Sequence, residues 1–354
     1  MRDAGARPPR VPRLGRVEAL ADATALEPIL GPIAAIAASP LATPGFSGSR
    51  HTRLAVRMRS GDARHLVLKR TVFTADWILV RTGDREGREG LLLAEPALDG
   101  VWDAFACPYV AWAADAHELG LLMDDVSDHL LPDVREPITE AQEERLLGAL
   151  ASMHARFWES PSLDLAWLSR PHHLFGLTTP AGTAVAIAGG SPPPVLARAS
   201  QGWAIAFDRL PPKVAALLRE PAEALAARGA ALPRTLVHGD VKVANFAHLP
   251  DGRVAAFDWA LVGAGPVAME LGWHLSVNAT RLPGTKEQTL ARYRRLLEER
   301  MGRPLGVAFW TATESQAALA GGAMMLWSKA LALEAGGPRA RDEWTWWVDR
   351  LAAM

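Results

Sequence analysis

Residues 236–259 read LVHGDVKVANFAHLPDGRVAAFDW. Four side chains in this stretch, those of Asp240, Lys242, Asn245 and Asp258, are of types that take part in catalysis or bind ions. Two short, mostly apolar runs lie on either side of Pro250, Asp251 and Gly252, which are the residue types that a tight turn needs, so the second half predicts a β-hairpin. Such a hairpin would bring Asp258 back beside Asn245. Carboxylate and amide oxygens are ligands that Mg²⁺ accepts, and the pair therefore predicts a site for one or two Mg²⁺ ions.

The order of the polar residues is the more specific signal. His238, Gly239 and Asp240 come first, Asn245 follows the aspartate by five residues, and Asp258 comes after the hairpin. This order resembles the catalytic core of the protein kinase superfamily. The alternative is that these residues only cap turns and end a strand, as Asp and Asn often do.

Two departures from the protein kinase pattern narrow the resemblance. Gly239 stands where protein kinases carry arginine. The resulting His-Gly-Asp sequence resembles that of the aminoglycoside phosphotransferase and choline kinase group. Asp258 is followed by Trp259 and Ala260 instead of Phe-Gly, and no Ala-Pro-Glu segment follows. The resemblance extends over residues 45–275 and is strongest in its later part.

The resemblance implies an α+β, bilobal protein kinase-like fold. A small antiparallel-sheet N-lobe with one helix would occupy residues 17–126 and bind the nucleotide. A larger, mostly helical C-lobe would occupy residues 127–354 and carry the catalytic loop and the acceptor site. Residues 1–16, basic and rich in proline, are expected to form a flexible leader.

Composition limits the partners and the compartment. The chain has 354 residues, and its formal net charge of −1 gives no electrostatic reason to expect nucleic acid or an anionic membrane surface. No apolar run reaches the roughly 18 residues of a membrane span, so no membrane partner is expected. Cys107 is the only cysteine, which excludes internal disulfides and suits a cytoplasmic protein.

The segment PGFSGSR at residues 44–50 is a candidate phosphate loop. Gly45 and Gly48 would let backbone amides approach phosphate closely, and Ser47 would add a hydroxyl group. An ordinary loop is the alternative, since only the position of the segment two strands before a lysine favours the phosphate role.

Lys69 ends an apolar run, as the lysine of the third kinase strand does. By resemblance it would hold the α and β phosphates, although a solvated lysine at a strand end is also possible. The helix that follows offers Glu86, Glu89 and Glu95 as carboxylate partners. We favour Glu89, because an apolar turn follows it and because an Arg-Glu pair opens this helix in the phosphotransferase group.

Residues 118–126, ELGLLMDDV, resemble the last strand of the small lobe and the hinge that follows it. The hinge backbone of this superfamily binds the adenine edge, which places Met123, Asp124 and Val126 at the nucleotide. Met123 and Val126 would also form apolar walls.

Two regions of the larger lobe have contrasting patterns. Helical spacing begins after Thr139 as a possible cap, while residues 178–194 are rich in glycine, proline and small residues and are interpreted as a loop over the acceptor side. Glu270 stands where the family commonly carries an aspartate that braces the catalytic loop.

The resemblance implies an ATP-dependent kinase that phosphorylates a hydroxyl group of a small molecule. Asp240 would be the catalytic base, while Asn245 and Asp258 would hold Mg²⁺. Lys242 would neutralise the γ-phosphate in transit or be a surface lysine. An antibiotic, a sugar, an amino sugar and a choline-like alcohol all remain open as acceptors, as do the choice of ATP or GTP and the oligomeric state. A nucleotide-binding pseudokinase and a protein kinase are the alternatives.

Overall fold

The computed structural model describes residues 10–42, 47–132 and 136–354. Gly45, one of the two predicted phosphate-loop glycines, lies outside the described residues.

A five-stranded antiparallel sheet, in the order β1-β2-β3-β5-β4, dominates the first third of the chain. Its strands alternate between two faces, so that Leu66 and Leu68 lie on one side of β3 and Val67 and Lys69 on the other. The strands are β1 (Ile33–Leu41), β2 (Arg50–Met58), β3 (Ala63–Val72), β4 (Tyr109–Ala114) and β5 (Glu118–Asp124).

Residues 10–16 are packed against the sheet, so the prediction of a flexible leader is wrong for this part of it. The Leu14 N–H donates to the Trp112 carbonyl at 2.8 Å, and the Trp112 N–H donates to the Pro12 carbonyl at 3.0 Å. The Arg13 guanidinium also lies 4.7 Å above the Trp112 ring. β4 is an edge strand whose free peptide groups need partners, and this segment supplies them.

Four short helices accompany the sheet in the described residues, more than the single helix predicted for the small lobe. The third contains Glu89 and is the predicted one. The second lies in residues 71–84, where Asp76 Oδ1 accepts from the N–H groups of Ile78 and Leu79 and thereby caps it. The helices are α1 (Ala23–Leu30), α2 (Trp77–Thr82), α3 (Arg88–Ala94) and α4 (Val101–Ala104), and 3-10 turns occupy Val17–Ala21 and Pro96–Leu98.

The rest of the chain is mostly helical, as predicted. Thr139 does cap the first long helix, in a capping box with Gln142. The helices are α5 (Glu140–Arg156), α6 (Pro171–Thr178), α7 (Pro180–Ala188), α8 (Pro194–Phe207), α9 (Pro212–Leu218), α10 (Ala222–Ala227), α11 (Val267–Val277), α12 (Lys286–Met301), α13 (Val307–Glu334) and α14 (Ala340–Ala352). Short 3-10 turns span Ser127–His129 and Pro161–Asp164.

The interpretation of residues 178–194 as a loop is wrong, because α7 occupies most of that segment. Thr179 Oγ1 accepts from the Gly182 N–H as a cap, and Pro180 stands at the first helical position. Proline is favoured there, since its missing N–H has no helical partner to lose. A composition rich in glycine and proline therefore did not prevent a helix.

Two arginines join the sheet side to the helical side. The Arg81 guanidinium donates to the carbonyls of Gly176 (2.7 Å) and Gly182 (2.8 Å), and Arg88 Nε donates to the Trp167 carbonyl at 2.8 Å. One apolar core also runs through both parts, and it contains Val67 and Met123 of the sheet together with Leu147 and Trp347 of the helices. The two parts are therefore bonded and packed to one another.

Helix α11, which carries Glu270, is positioned by close packing against α13. A Cβ added to Gly272 would lie 2.3 Å from the Ala317 carbonyl oxygen and 2.7 Å from the Gly321 nitrogen. Only glycine permits this approach. In the described part of the chain, no helix is both long and apolar enough to cross a membrane.

We expect Gly272→Ala to lower the free energy of unfolding by about 1–3 kcal/mol, because the added methyl overpacks a backbone contact. The matched control is Gly148→Ala inside α5, where the nearest atom to an added Cβ is 4.0 Å away. That substitution should be neutral or stabilise the protein by up to about 1 kcal/mol. Chemical unfolding of both variants checks this, and equal stabilities would contradict the proposed packing.

Candidate active site

The predicted hairpin is present in the segment that carries the site. Strand β6 (Thr235–Val237) pairs with β9 (Gly263–Gly265), and β7 (Phe246–His248) pairs with β8 (Val254–Ala256). A 3-10 turn, Val243–Asn245, leads into the hairpin. The Phe257 N–H donates to the Asn245 carbonyl at 3.2 Å, which brings Asp258 beside Asn245 as the sequence predicted.

Gly239 is required by the backbone of the loop. Its φ is +85°, a region that L side chains rarely adopt, and an added Cβ would lie 2.4 Å from the Leu261 carbonyl oxygen. The arginine of protein kinases would not fit in this backbone. The Gly239 N–H donates to Glu270 Oε1 at 2.7 Å, which fixes the start of the loop.

Asp240 is buried and has a defined set of partners. Its Oδ2 accepts from Asn245 Nδ2 (3.1 Å) and forms an ion pair with Lys242 Nζ (2.8 Å), while its Oδ1 accepts from the indole N–H of Trp273 (2.7 Å). The negative charge of Asp240 raises the pKa of Lys242. Lys242 thus lies at this carboxylate and does not point away from the loop.

Trp273 was not predicted as a site residue. It lies on α11, three residues after Glu270, and residues three or four apart share one face of a helix. This spacing is the one signal in the sequence that places Trp273 on the same side of the helix as Glu270.

His238 connects the two halves of the segment. Its Nδ1 accepts from the Asp240 N–H (3.2 Å), and its Nε2 donates to the Phe257 carbonyl (3.0 Å). Phe257, the residue before Asp258, and the backbone of Asp240 are therefore held by one imidazole ring.

Glu270 forms the predicted brace of the loop. In addition to Gly239, it contacts His154 Nε2 at 2.9 Å through Oε2, and His154 Nδ1 lies 2.6 Å from the Tyr293 hydroxyl. Burial by itself would raise the pKa of Glu270, but the hydrogen bond and charge of His154 outweigh it and lower the pKa. A fully buried network thus ties the loop to α5 and α12.

Lys69 lies between two carboxylates. Its Nζ is 2.7 Å from Glu89 Oε2 and 2.6 Å from Asp258 Oδ1, so Glu89 occupies the partner position, and not Glu86 or Glu95. Glu89 Oε1 accepts in turn from the Tyr109 hydroxyl (2.6 Å) and the Asp258 N–H (3.0 Å). Burial opposes the charge of Lys69, but Asp258 and Glu89 outweigh it and raise its pKa.

Asp258 is strained as well as charged. Its φ of +63° is unusual for a residue other than glycine, and such strain is common where a structure must aim a functional group. Burial would raise the pKa of Asp258, but the charges of Lys69 and Lys242 outweigh it and keep the pKa below its usual range. Asp258 is therefore an ionised carboxylate at the centre of the cleft.

The donor set at this place suits Mg²⁺. Asp258 supplies a carboxylate, and Asn245 would offer its Oδ1, because its Nδ2 donates to Asp240. Mg²⁺ usually binds one or two protein oxygens and keeps water and phosphate as further ligands. In the described residues, no cluster of three or more histidine, cysteine or carboxylate side chains could hold a metal by itself.

The described end of the candidate phosphate loop, from Ser47 onward, lies near Lys69. Ser47 and Ser49 line one cavity together with Lys69 and Asp258. The Ser49 hydroxyl contacts that of Thr71 at 2.8 Å, and Gly48 has a φ of +106°. The structure thus brings Ser47 and Ser49 to the same cavity as Lys69, and Gly48 lies between them in the chain.

Asp76, the cap of α2, is a further member of this cavity that sequence reasoning missed. Burial raises its pKa. Its signal in the sequence is only that of a helix cap.

The predicted hinge residues follow the same sheet face. Met123 pairs with Val67 across β5 and β3, and both are buried on the side of the sheet that carries Lys69. The Asp124 N–H donates to the Pro108 carbonyl at 2.9 Å and its carboxylate pairs with Arg64, so this side chain is a surface group. Val126 is half-buried against the small cluster formed by the hairpin.

Comparison with known proteins settles the family. The model of the phosphotransferase enzyme family (APH) matches residues 48–303, which is more than half of the chain. The chain belongs to this family. The predicted relationship to the aminoglycoside phosphotransferase group and the predicted kinase-type enzyme are thereby confirmed. No curated protein matches the sequence of this phosphotransferase.

Three solved structures are among those similar to this chain. Choline kinase LicA from Streptococcus pneumoniae is 12% identical, with 94% of this chain and 97% of that chain covered and a TM-score of 0.47. A choline kinase from Cryptosporidium parvum is 9% identical, with 89% and 88% covered and a TM-score of 0.49. Aminoglycoside phosphotransferase APH(3'')-Id from Streptomyces rimosus is 16% identical, with 80% and 92% covered and a TM-score of 0.42.

His274 lies against the loop of residues 238–245 in this phosphotransferase, with its Nδ1 3.4 Å from the Val241 carbonyl. It is buried, its Nδ1 lies 3.0 Å from Asn278 Nδ2, and Asn278 binds the loop through the Val241 carbonyl (2.8 Å) and the Val243 N–H (3.0 Å). Burial disfavours the imidazolium and lowers the pKa of His274 to about 4. The neutral ring is the form that belongs to the folded protein.

We expect the free energy of unfolding to fall as the pH drops from about 6.5 to about 4. In that window the unfolded chain protonates His274 while the folded protein does not, so a contribution of about 3 kcal/mol, complete above pH 6.5, is lost. His274→Gln should flatten the dependence of unfolding free energy on pH, whatever its effect at pH 8. His117→Gln in an exposed turn is the control, and an unchanged slope in His274→Gln would contradict the assignment.

Proposed function

We propose that the protein transfers the γ-phosphate of ATP to a hydroxyl group of a small molecule in the presence of Mg²⁺. The observation that carries the proposal is the convergence of two sets of residues in one cleft. Lys69, Glu89 and Asp258 form one set, and Asp240 with Asn245 forms the other. The bond between Phe257 and Asn245 and the His238 bridge connect them.

The proposed donor site belongs to residues 17–126. Lys69, held by Glu89, binds the α and β phosphates, and Ser47 and Gly48 cover them. The role predicted for Gly45 falls outside the described residues. The backbone at Met123, Asp124 and Val126 contacts the adenine edge. Because the Asp124 N–H is already used within the protein, the Asp124 carbonyl and the Val126 N–H are the groups assigned to this contact.

The proposed metal site joins this part to residues 127–354. Asn245 Oδ1 and Asp258 hold Mg²⁺ against the phosphates, and the ion supplies positive charge that the transferring group requires. The contact between Asp258 and Lys69 is compatible with this role, since an ionised carboxylate has about four lone-pair sites and the ammonium uses one of them.

The proposed base is Asp240. It accepts a hydrogen bond from the acceptor hydroxyl and takes its proton while the hydroxyl oxygen bonds to the γ-phosphorus and the bond to the β-phosphate oxygen breaks. ADP and the phosphorylated acceptor are the products. Lys242, 2.8 Å from Asp240 Oδ2, is close enough to follow the charge of the phosphate in transit.

Membership in the phosphotransferase enzyme family supports a small-molecule acceptor. The hydroxyl compounds that fit the proposal are antibiotics, sugars, amino sugars and choline-like alcohols. A panel of choline, ethanolamine, an aminoglycoside, a macrolide and glucose samples these classes.

We expect MgATP-dependent release of ADP with one member of this panel and a loss of at least about a hundredfold in turnover for Asp240→Asn, because the base is lost at the reacting oxygen. Calorimetric titration should show that Asp240→Asn still binds MgATP, whereas Asp258→Ala loses much of the Mg²⁺-dependent affinity.

Asp251→Asn, at the exposed turn of the same hairpin, is the control and should resemble the wild type. Wild-type turnover in Asp240→Asn would exclude Asp240 as the base. Absence of MgATP binding in the wild-type protein would overturn the proposed function as a whole.

A further inference from the structure

The hydrogen bond between Trp273 and Asp240 has no role in the function proposed so far. The indole N–H lies 2.7 Å from Asp240 Oδ1, and the donor comes from α11 and not from the catalytic loop. Asp240 is 7% exposed, whereas Trp273 is only half-buried. The indole N–H therefore lies at a buried carboxylate, while part of the ring remains exposed.

The four lone-pair sites of the carboxylate show what this bond does. Oδ2 already accepts from Asn245 and contacts the Lys242 ammonium. Oδ1 accepts from the indole, which leaves one lone-pair site on that oxygen. An acceptor hydroxyl that donates to Asp240 must therefore approach Oδ1 beside the indole ring.

The indole is held where it is by its helix. Glu270 and His274, on the same face of α11, contact the catalytic loop, and Gly272 packs against the backbone of α13. An indole has one donor and no acceptor, so it cannot exchange roles with the hydroxyl. Its direction of donation is fixed by a rigid element of the fold.

We propose that Trp273 is a positioning residue for phosphoryl transfer. It holds Asp240 in one rotational state about its carboxyl bond, and it restricts the acceptor hydroxyl to the remaining lone pair of Oδ1. This inference rests on the proposed function and adds a second element, outside the catalytic loop, that decides how the acceptor approaches.

Kinetics of Trp273→Phe test the inference, because this substitution keeps an aromatic ring and removes the N–H. With the panel acceptor of highest turnover, or with water when no panel member reacts, we expect kcat to fall about tenfold or more. The KM for MgATP should stay within about twofold of the wild-type value. A substitution that only loosened the fold would affect both constants.

The control is Trp346→Phe. The indole of Trp346 also donates to a carboxylate, Glu287 Oε1 at 2.6 Å, but it does so between α14 and α12. Trp346→Phe therefore removes the same kind of hydrogen bond at a position outside the candidate site. We expect wild-type kcat and KM for this variant.

A spectroscopic measurement provides evidence that is independent of turnover. In protein labelled with ¹⁵N-tryptophan, the Nε1–H resonance that is missing from Trp273→Phe should shift in Asp240→Asn and stay in place in Asp251→Asn. A resonance insensitive to Asp240→Asn, or a wild-type kcat in Trp273→Phe, would overturn the inference while the proposed function stood. Failure of the wild-type protein to bind MgATP would remove both.

Discussion

The buried ammonium group of Lys69 is the interaction on which the site depends. It joins β3 to the first turn of α3 and to Asp258, two residues after β8, at distances of 2.6–2.7 Å. An ion in such a place is tolerated only with close partners, and removing one partner leaves a charge without compensation. One ammonium between two carboxylates also leaves the cluster negative, which favours a further cation at Asp258.

Helix α11 organises the other half of the cleft. Glu270, Trp273 and His274 with Asn278 contact four places on the catalytic loop: the Gly239 N–H, the Asp240 carboxylate, the Val241 carbonyl and the Val243 N–H. The loop is short and irregular, and its peptide groups would otherwise need water as partners. A single rigid helix therefore sets the shape of the loop, and glycine at position 272 lets that helix lie close to α13.

The features of the site that the sequence predicted are those formed by residues close to one another in the chain or placed by resemblance to the family. The hairpin, the proximity of Asn245 and Asp258, and the pairing of Lys69 with Glu89 follow from short-range order and from resemblance, and the structure brings these residues together. Their chemical roles stay predictions. The role of Trp273 was not predicted, because its partner Asp240 is 33 residues away and a tryptophan in an apolar helix usually belongs to the core. α7 was not predicted, because proline and glycine disfavour a helix interior, although proline suits the first helical position. The packed residues 10–16 were missed because an edge strand in need of partners is visible only in three dimensions.

The arginines at positions 81 and 88 have a mechanical consequence. They clasp carbonyl groups at residues 167, 176 and 182, so α6 and α7 are tied to the sheet side although they follow it in the sequence. Any widening of the cleft for nucleotide exchange must either break these bonds or carry α6 and α7 along with the sheet. The group of elements that moves together is then defined by these hydrogen bonds and not by the order of the chain.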